Sequence, residues 1–108
     1  MSEIENYKYV KAEIQNYKGW IKETDPGRLF RDMDALLKKA NYKVLNYVEH
    51  HFPEQGYTCV WLLAESHLAI HTFPEDDATY LELSSCNPKK NEAFVELLEQ
   101  WKQQNEIL

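Results

Sequence analysis

The spacing of apolar and polar positions along the chain changes several times, and each change marks an element. Tyr9 to Ile14 alternates loosely, with Val10, Ala12 and Ile14 on one face, and predicts a first strand. Asn16 to Glu23 has no clean period. It reads as an irregular segment whose aromatics, Tyr17 and Trp20, fold back onto the domain. Thr24-Asp25-Pro26 opens a helix: a small polar residue caps it, and Pro sits in the first turn, where its missing N–H does no harm. Leu29, Phe30, Met33, Leu36, Leu37 and Ala40 recur at spacings of three and four and form one apolar stripe. Asn41 is the expected stop.

Strand composition returns at Lys43 to His50, with Val44, Asn46 and Val48 on one face and Leu45, Tyr47 and Glu49 on the other. Phe52-Pro53-Glu54-Gln55-Gly56 is a loop. Tyr57 to Phe73 contains neither Gly nor Pro, yet is far longer than an ordinary strand of about 5–6 residues. Apolar, strand-forming residues flank the polar trio Glu65-Ser66-His67, which predicts two strands joined by a tight turn at that trio. A turn of Glu, Ser and His is not what turn chemistry favours, and local rules tend to fail where function has imposed a residue. Pro74 to Asp77 is a second loop, and Ala78 to Leu83 another strand. Asn87-Pro88 repeats the helix-start signal, and Phe94, Leu97, Leu98 and Trp101 mark the buried stripe of a last helix.

This order predicts an α+β fold: a two-layer sandwich of a mostly antiparallel sheet with two helices packed on one face. The other face would meet solvent or a partner, with Tyr47, Tyr57, Trp61 and Tyr80 as candidates to line it. The 108 residues read as a single domain, 1–108, with residues 1–7 as a flexible tail. At 44% hydrophobic and 13% aromatic the chain can build one modest core, and a homo-oligomer would supply further burial. A net charge of −6 argues against nucleic acid and anionic membrane and would suit a small cationic ligand. The opening residues are acidic and polar, unlike a targeting peptide, and no apolar run is long enough to span a bilayer. Two cysteines, Cys59 and Cys86, make no disulfide framework, so a cytoplasmic protein with free thiols is expected.

Ser66 is the first candidate for chemistry. It lacks the G-x-S-x-G elbow of a triad serine, and in isolation it reads as an ordinary turn or buried serine. A different chemistry fits the turn. A hydroxyl held against the Glu65 carbonyl can shift the acyl group from N to O, and elimination and hydrolysis then leave a pyruvoyl group at residue 66. Such a carbonyl forms a Schiff base with a substrate amine and serves as an electron sink for decarboxylation. His67 and His71 share a face of the strand after the turn. They read either as polar strand residues or, with His50 or His51, as a metal site, but the spacing matches no standard zinc pattern and no metal is expected. Cys86 alone would be an ordinary buried thiol.

The stretch L-L-A-E-S-H-L-A-I-H-T-F-P-E, followed by S-S-C, resembles the short prokaryotic type of S-adenosylmethionine decarboxylase, whose pattern is L-A-E-S-H-x-S-I-H-T-W-P-E and then T-C-G. The upstream H-H-F-P-E-Q-G resembles that family's H-x-F-x-P-x-G segment, and the similarity extends from about Lys8 to Trp101. The resemblance implies self-cleavage between Glu65 and Ser66, with Ser66 becoming the pyruvoyl group. It implies that His71 takes the proton lost in the elimination and that Cys86 protonates the decarboxylated carbon. Phe52 and Phe73 would stack the adenine and flank the sulfonium of S-adenosylmethionine, and Glu75 would hold the ribose hydroxyls. It also implies a homodimer of processed protomers, with sites at or near the interface, and a role in polyamine (spermidine) synthesis.

The chain departs from the family pattern at Phe73 (Trp in the family), Asn87 (Gly), Tyr9 (His) and Glu13 (Asp). Two alternatives stand beside the main reading: a pyruvoyl decarboxylase of another amino acid, such as arginine or ornithine, and a non-processing homologue that only binds.

Overall fold

The computed structural model describes residues 14–106. Five strands and two helices follow in the order β1 (Gln15–Ile21), α1 (Pro26–Lys39), β2 (Val44–His51), β3 (Tyr57–Leu63), β4 (Ser66–Phe73), β5 (Ala78–Ser85) and α2 (Pro88–Asn105). The strands form one sheet in the order β1-β5-β4-β3-β2, antiparallel at every pairing. β1 and β2 therefore occupy opposite edges, and α1 connects one edge to the other. This is the expected α+β sandwich.

Both helix starts follow the cap-plus-Pro signal. Asp25 accepts a hydrogen bond from the Arg28 amide at 2.9 Å, and Asn87 accepts from the Lys90 amide at 3.1 Å. The α1 stripe Leu29, Met33, Leu36, Leu37 and Ala40 is buried, as are Phe94, Leu98 and Trp101 of α2. They meet Ile21, Tyr57, Cys59, Trp61, Leu63, Leu68, Ile70, Leu81 and Leu83 from one face of the sheet in a single core. At α1's end Asn41 adopts φ 68°, its amide bonds to the Lys38 carbonyl, and the Tyr42 amide reaches back to Leu37. That is the left-handed helix termination which Asn tolerates.

Four expectations are corrected. The segment read as irregular, Asn16 to Glu23, is mostly β1: Tyr17, Gly19 and Ile21 face the helices while Asn16, Lys18 and Trp20 face away. Its inner positions include a Gly, which blurs the apolar alternation. The strand expected at Tyr9 to Ile14 lies outside the described residues, as does the tail at 1–7, except for Ile14, which is not in a strand.

The turn after β3 is Ala64-Glu65, not Glu65-Ser66-His67, because Ser66 already pairs with Leu63 and His67 with Leu62. In β2 the register shifts between Val44 and Asn46, so Val44 faces the helices while Asn46 and Val48 face away.

Finally, Tyr57 and Trp61 do not line the uncovered face. They are 1% and 0% exposed beneath the helices, with Phe30 stacked on Trp61 at 5.5 Å. Tyr47 pairs with Trp61 and shares its side, and only Tyr80 of the four faces away. Among the described residues the uncovered face instead carries Val48, Val60, Leu62, Phe73 and Trp20, beside the polar His67, His71, Glu82 and Lys18.

Candidate functional site

Ser66 is the first residue of β4, directly after a two-residue turn. Glu65 holds φ 63° there, a left-handed conformation uncommon for a residue with a Cβ. The Ser66 side chain points toward the helix layer and is 8% exposed. Its Oγ accepts a hydrogen bond from the Cys86 amide at 3.2 Å. Residues twenty positions apart are thus brought together, because β4 and β5 pair along their length and Cys86 follows the last residue of β5. Cys86 itself is exposed and free, between the strand and the Asn87 cap of α2. Asn87, one of the departures from the family pattern, accordingly has a local role as a helix cap.

His71 lies elsewhere. It is five residues along β4 from Ser66, about 16 Å at 3.3 Å per residue, and it projects from the opposite, uncovered face. Its Nδ1 is 3.0 Å from the hydroxyl of Thr58, its direct cross-strand partner. Thr58 was not singled out from the sequence. A two-residue turn at 64–65 fixes the register that puts Thr58 opposite His71, whereas a turn centred on Ser66 does not. One row across this face runs His50, Thr58, His71, Tyr80, Trp20.

Phe52, Phe73 and Glu75 gather at the His71 end of the sheet. Phe52 begins the loop after β2, its ring edge-on to His50 at 4.5 Å and its amide bonded to the Gly56 carbonyl. Gly56 closes that loop at φ 115°, which a side chain would strain. Phe73 ends β4 and packs on Trp20 at 5.8 Å, and Trp20 packs in turn on Tyr80 at 5.1 Å. Glu75 sits in a short 3-10 turn, Pro74–Asp76, and accepts from the Gln55 side chain at 3.3 Å. One chain therefore separates the expected site residues into two groups. Glu65, Ser66 and Cys86 are at one end of the sheet; His71, Thr58, Phe52, Phe73 and Glu75 are toward the other.

A shallow apolar depression of about 480 Å³ on the uncovered face lies between them, lined by Asn46, Tyr47, Val48, Val60, Leu62 and His67. Among the described residues no cluster of three or more His, Cys, Asp or Glu gathers as a metal would need.

Residues 14–107 match the family described as S-adenosylmethionine decarboxylase. A protein of Prochlorococcus marinus (strain MIT 9313) named S-adenosylmethionine decarboxylase proenzyme is 38% identical over 80 residues, covering 73% of this chain and 64% of that one. A protein of the same name from Prochlorococcus marinus (strain MIT 9211) is 43% identical over 66 residues, 61% of this chain and 54% of the relative. The chain thus spans between about half and two-thirds of the length of these relatives. The crystal structure of the adenosylmethionine decarboxylase from Aquifex aeolicus superposes with a TM-score of 0.60 at 26% identity, over 77% of this chain and 71% of the other.

Proposed function

The chain belongs to the S-adenosylmethionine decarboxylase family, and we propose that it is the precursor of a pyruvoyl-dependent decarboxylase of S-adenosylmethionine. It cuts itself between Glu65 and Ser66 and supplies the aminopropyl donor of polyamine synthesis. One observation carries the reading: the Ser66 hydroxyl sits against a left-handed turn at Glu65, oriented by the amide of Cys86. The Ser66 Oγ attacks the Glu65 carbonyl carbon, and the C–N bond breaks to leave an ester and a free amine. Loss of the residue 66 Cα proton expels the Glu65 carboxylate. Hydrolysis then releases ammonia and leaves a ketone at residue 66.

When formed, the pyruvoyl group supplies a carbonyl that condenses with the substrate amine and draws off the electrons freed with CO2. Cys86, exposed beside Ser66, returns a proton to the substrate carbon. The aromatic faces of Phe52 and Phe73 suit an adenine and a sulfonium, and the Glu75 carboxylate suits two ribose hydroxyls. Two free thiols fit the reducing cytoplasm.

The separation of Ser66 and His71 within one chain supports a homodimer. A second copy, docked through the apolar uncovered faces, brings its His71 and Thr58 end to this chain's Ser66, where His71 takes the Cα proton. Release of CO2 from carboxyl-labelled S-adenosylmethionine, with arginine and ornithine alongside, tests the substrate. CO2 from S-adenosylmethionine alone is expected. Release from either amino acid instead would move the assignment to that substrate, and an uncut chain that releases none would leave a binding protein. Co-expressing Ser66→Ala with His71→Ala tests the shared site. Only the mixture should cleave, and only in the His71→Ala chain; cleavage of His71→Ala expressed alone would contradict it.

A further inference from the structure

In the four-residue connector from α1 to β2, Ala40 to Lys43, Tyr42 and Lys43 touch both sides of the scissile turn. The Lys43 carbonyl accepts a hydrogen bond from the Ala64 amide at 3.1 Å, one residue before Glu65. The Tyr42 side chain, 5% exposed, reaches across to bond its hydroxyl to Ser85 Oγ, the residue before Cys86. Ser85, fully buried, donates to the Asn87 carbonyl and accepts from the Asn87 amide, each at 3.2 Å, so its Oγ straddles Cys86. With the Ser85 hydrogen directed at Asn87, Tyr42 is the donor to Ser85. Burial pushes the Tyr42 phenol above its ordinary range, against the opposing pull of the Ser85 bond, so that donor keeps its proton at neutral pH. The connector is itself anchored: the Tyr42 amide bonds to Leu37 and the Asn41 amide to Lys38 in the left-handed ending of α1. Lys90 of α2 lies over the Tyr42 ring at 5.8 Å.

We propose that Tyr42, acting through Ser85, is a positioning residue for self-processing: it fixes the Ser85–Asn87 corner whose Cys86 amide orients the Ser66 hydroxyl toward the Glu65 carbonyl. This rests on the self-cleavage reading above. Tyr42 touches none of the reacting atoms. Its hydroxyl sets where the Cys86 N–H points, and that N–H holds the nucleophile. Without the hydroxyl, the corner keeps its apolar packing but loses the bond that fixes its rotation.

The test follows cleavage of freshly purified precursor by intact mass over time. Tyr42→Phe keeps the ring and its packing and removes only the hydroxyl. It should slow cleavage about tenfold, the rate equivalent of one hydrogen bond. Ser85→Ala removes that bond together with both bonds to Asn87 and should slow cleavage at least as much, the double variant being no slower than Ser85→Ala. Ser85→Thr retains the hydroxyl and should restore the wild-type rate. Leu97→Ala, on α2 about 15 Å along the helix from Asn87, lowers stability without touching the corner and should cleave at the wild-type rate. If Tyr42→Phe cleaves like wild type, or Leu97→Ala at matched melting temperature slows as much, the positioning role is overturned. Should Tyr42→Phe not fold, Ser85→Ala cleaving at the wild-type rate would overturn the role on its own. A wild-type chain that never cleaves would instead sink the processing reading itself.

Discussion

The two cysteines differ in what surrounds them. Cys59 lies in the core at 0% exposure, and burial, with further upward pushes from Glu49 and Asp34 against a hydrogen bond from Tyr57, moves its thiol up to about 11. Cys86 stands exposed at the strand end. A thiolate is the reactive form, so iodoacetamide at neutral pH should label one thiol per native chain and two after denaturation. Peptide mapping checks that the native label is on Cys86; native labelling of Cys59 would contradict the burial. The motif marks Ser66, Cys86 and His71 as candidates, but not their spatial grouping. Thr58 and Tyr42 carry no motif, and Ser85, although in the S-S-C stretch, has no expected role. They become visible only once the two-residue turn fixes the register, and a non-Gly residue in the left-handed conformation at Glu65 conceals that turn.

Among the elements, the helices are legible in the sequence because their caps and stripes are local. Asp25-Pro26 and Asn87-Pro88 start them where expected, and the stripes bury where expected except at Phe30 and Leu97, which are half-buried. β1 was missed because its inward positions, Tyr17 and Gly19, are weakly apolar while its outward Trp20 is 55% exposed. The two faces therefore do not separate by hydrophobicity. Between the helices, Trp101 donates to Asp32 at 2.9 Å, and Arg31 and Arg28 lie alongside. Burial pushes the Asp32 carboxyl up, but that hydrogen bond and the two cations outweigh it and hold the group below its usual range. A carboxylate lowered on folding contributes stability above its unfolded pKa, near 4, and loses it as pH falls through the folded value. Urea midpoints should therefore drop between about pH 4 and pH 2 in the wild type more than in Asp32→Asn. At pH 7 the variant should be less stable by about 1 kcal/mol. Parallel pH curves for the two proteins would contradict this assignment.

For the whole molecule, one sheet with helices on a single side leaves the other face uncovered among the described residues and places the two groups of candidate site residues toward opposite ends of the same strands. The two-layer fold and the spare face were legible from the order of elements. The lining of that face was not, because a one-residue difference in register exchanges every side chain between layers; Tyr57 and Trp61 belong to the core for that reason. The proposed function depends on one covalent event, and the most direct measurement is the intact mass of the purified protein under denaturing conditions. It predicts that the 12.8 kDa chain is replaced by two fragments, residues 1–65 and 66–108, the smaller blocked at its N-terminus by the ketone derived from Ser66. A single unmodified species at 12.8 kDa after prolonged incubation would contradict it.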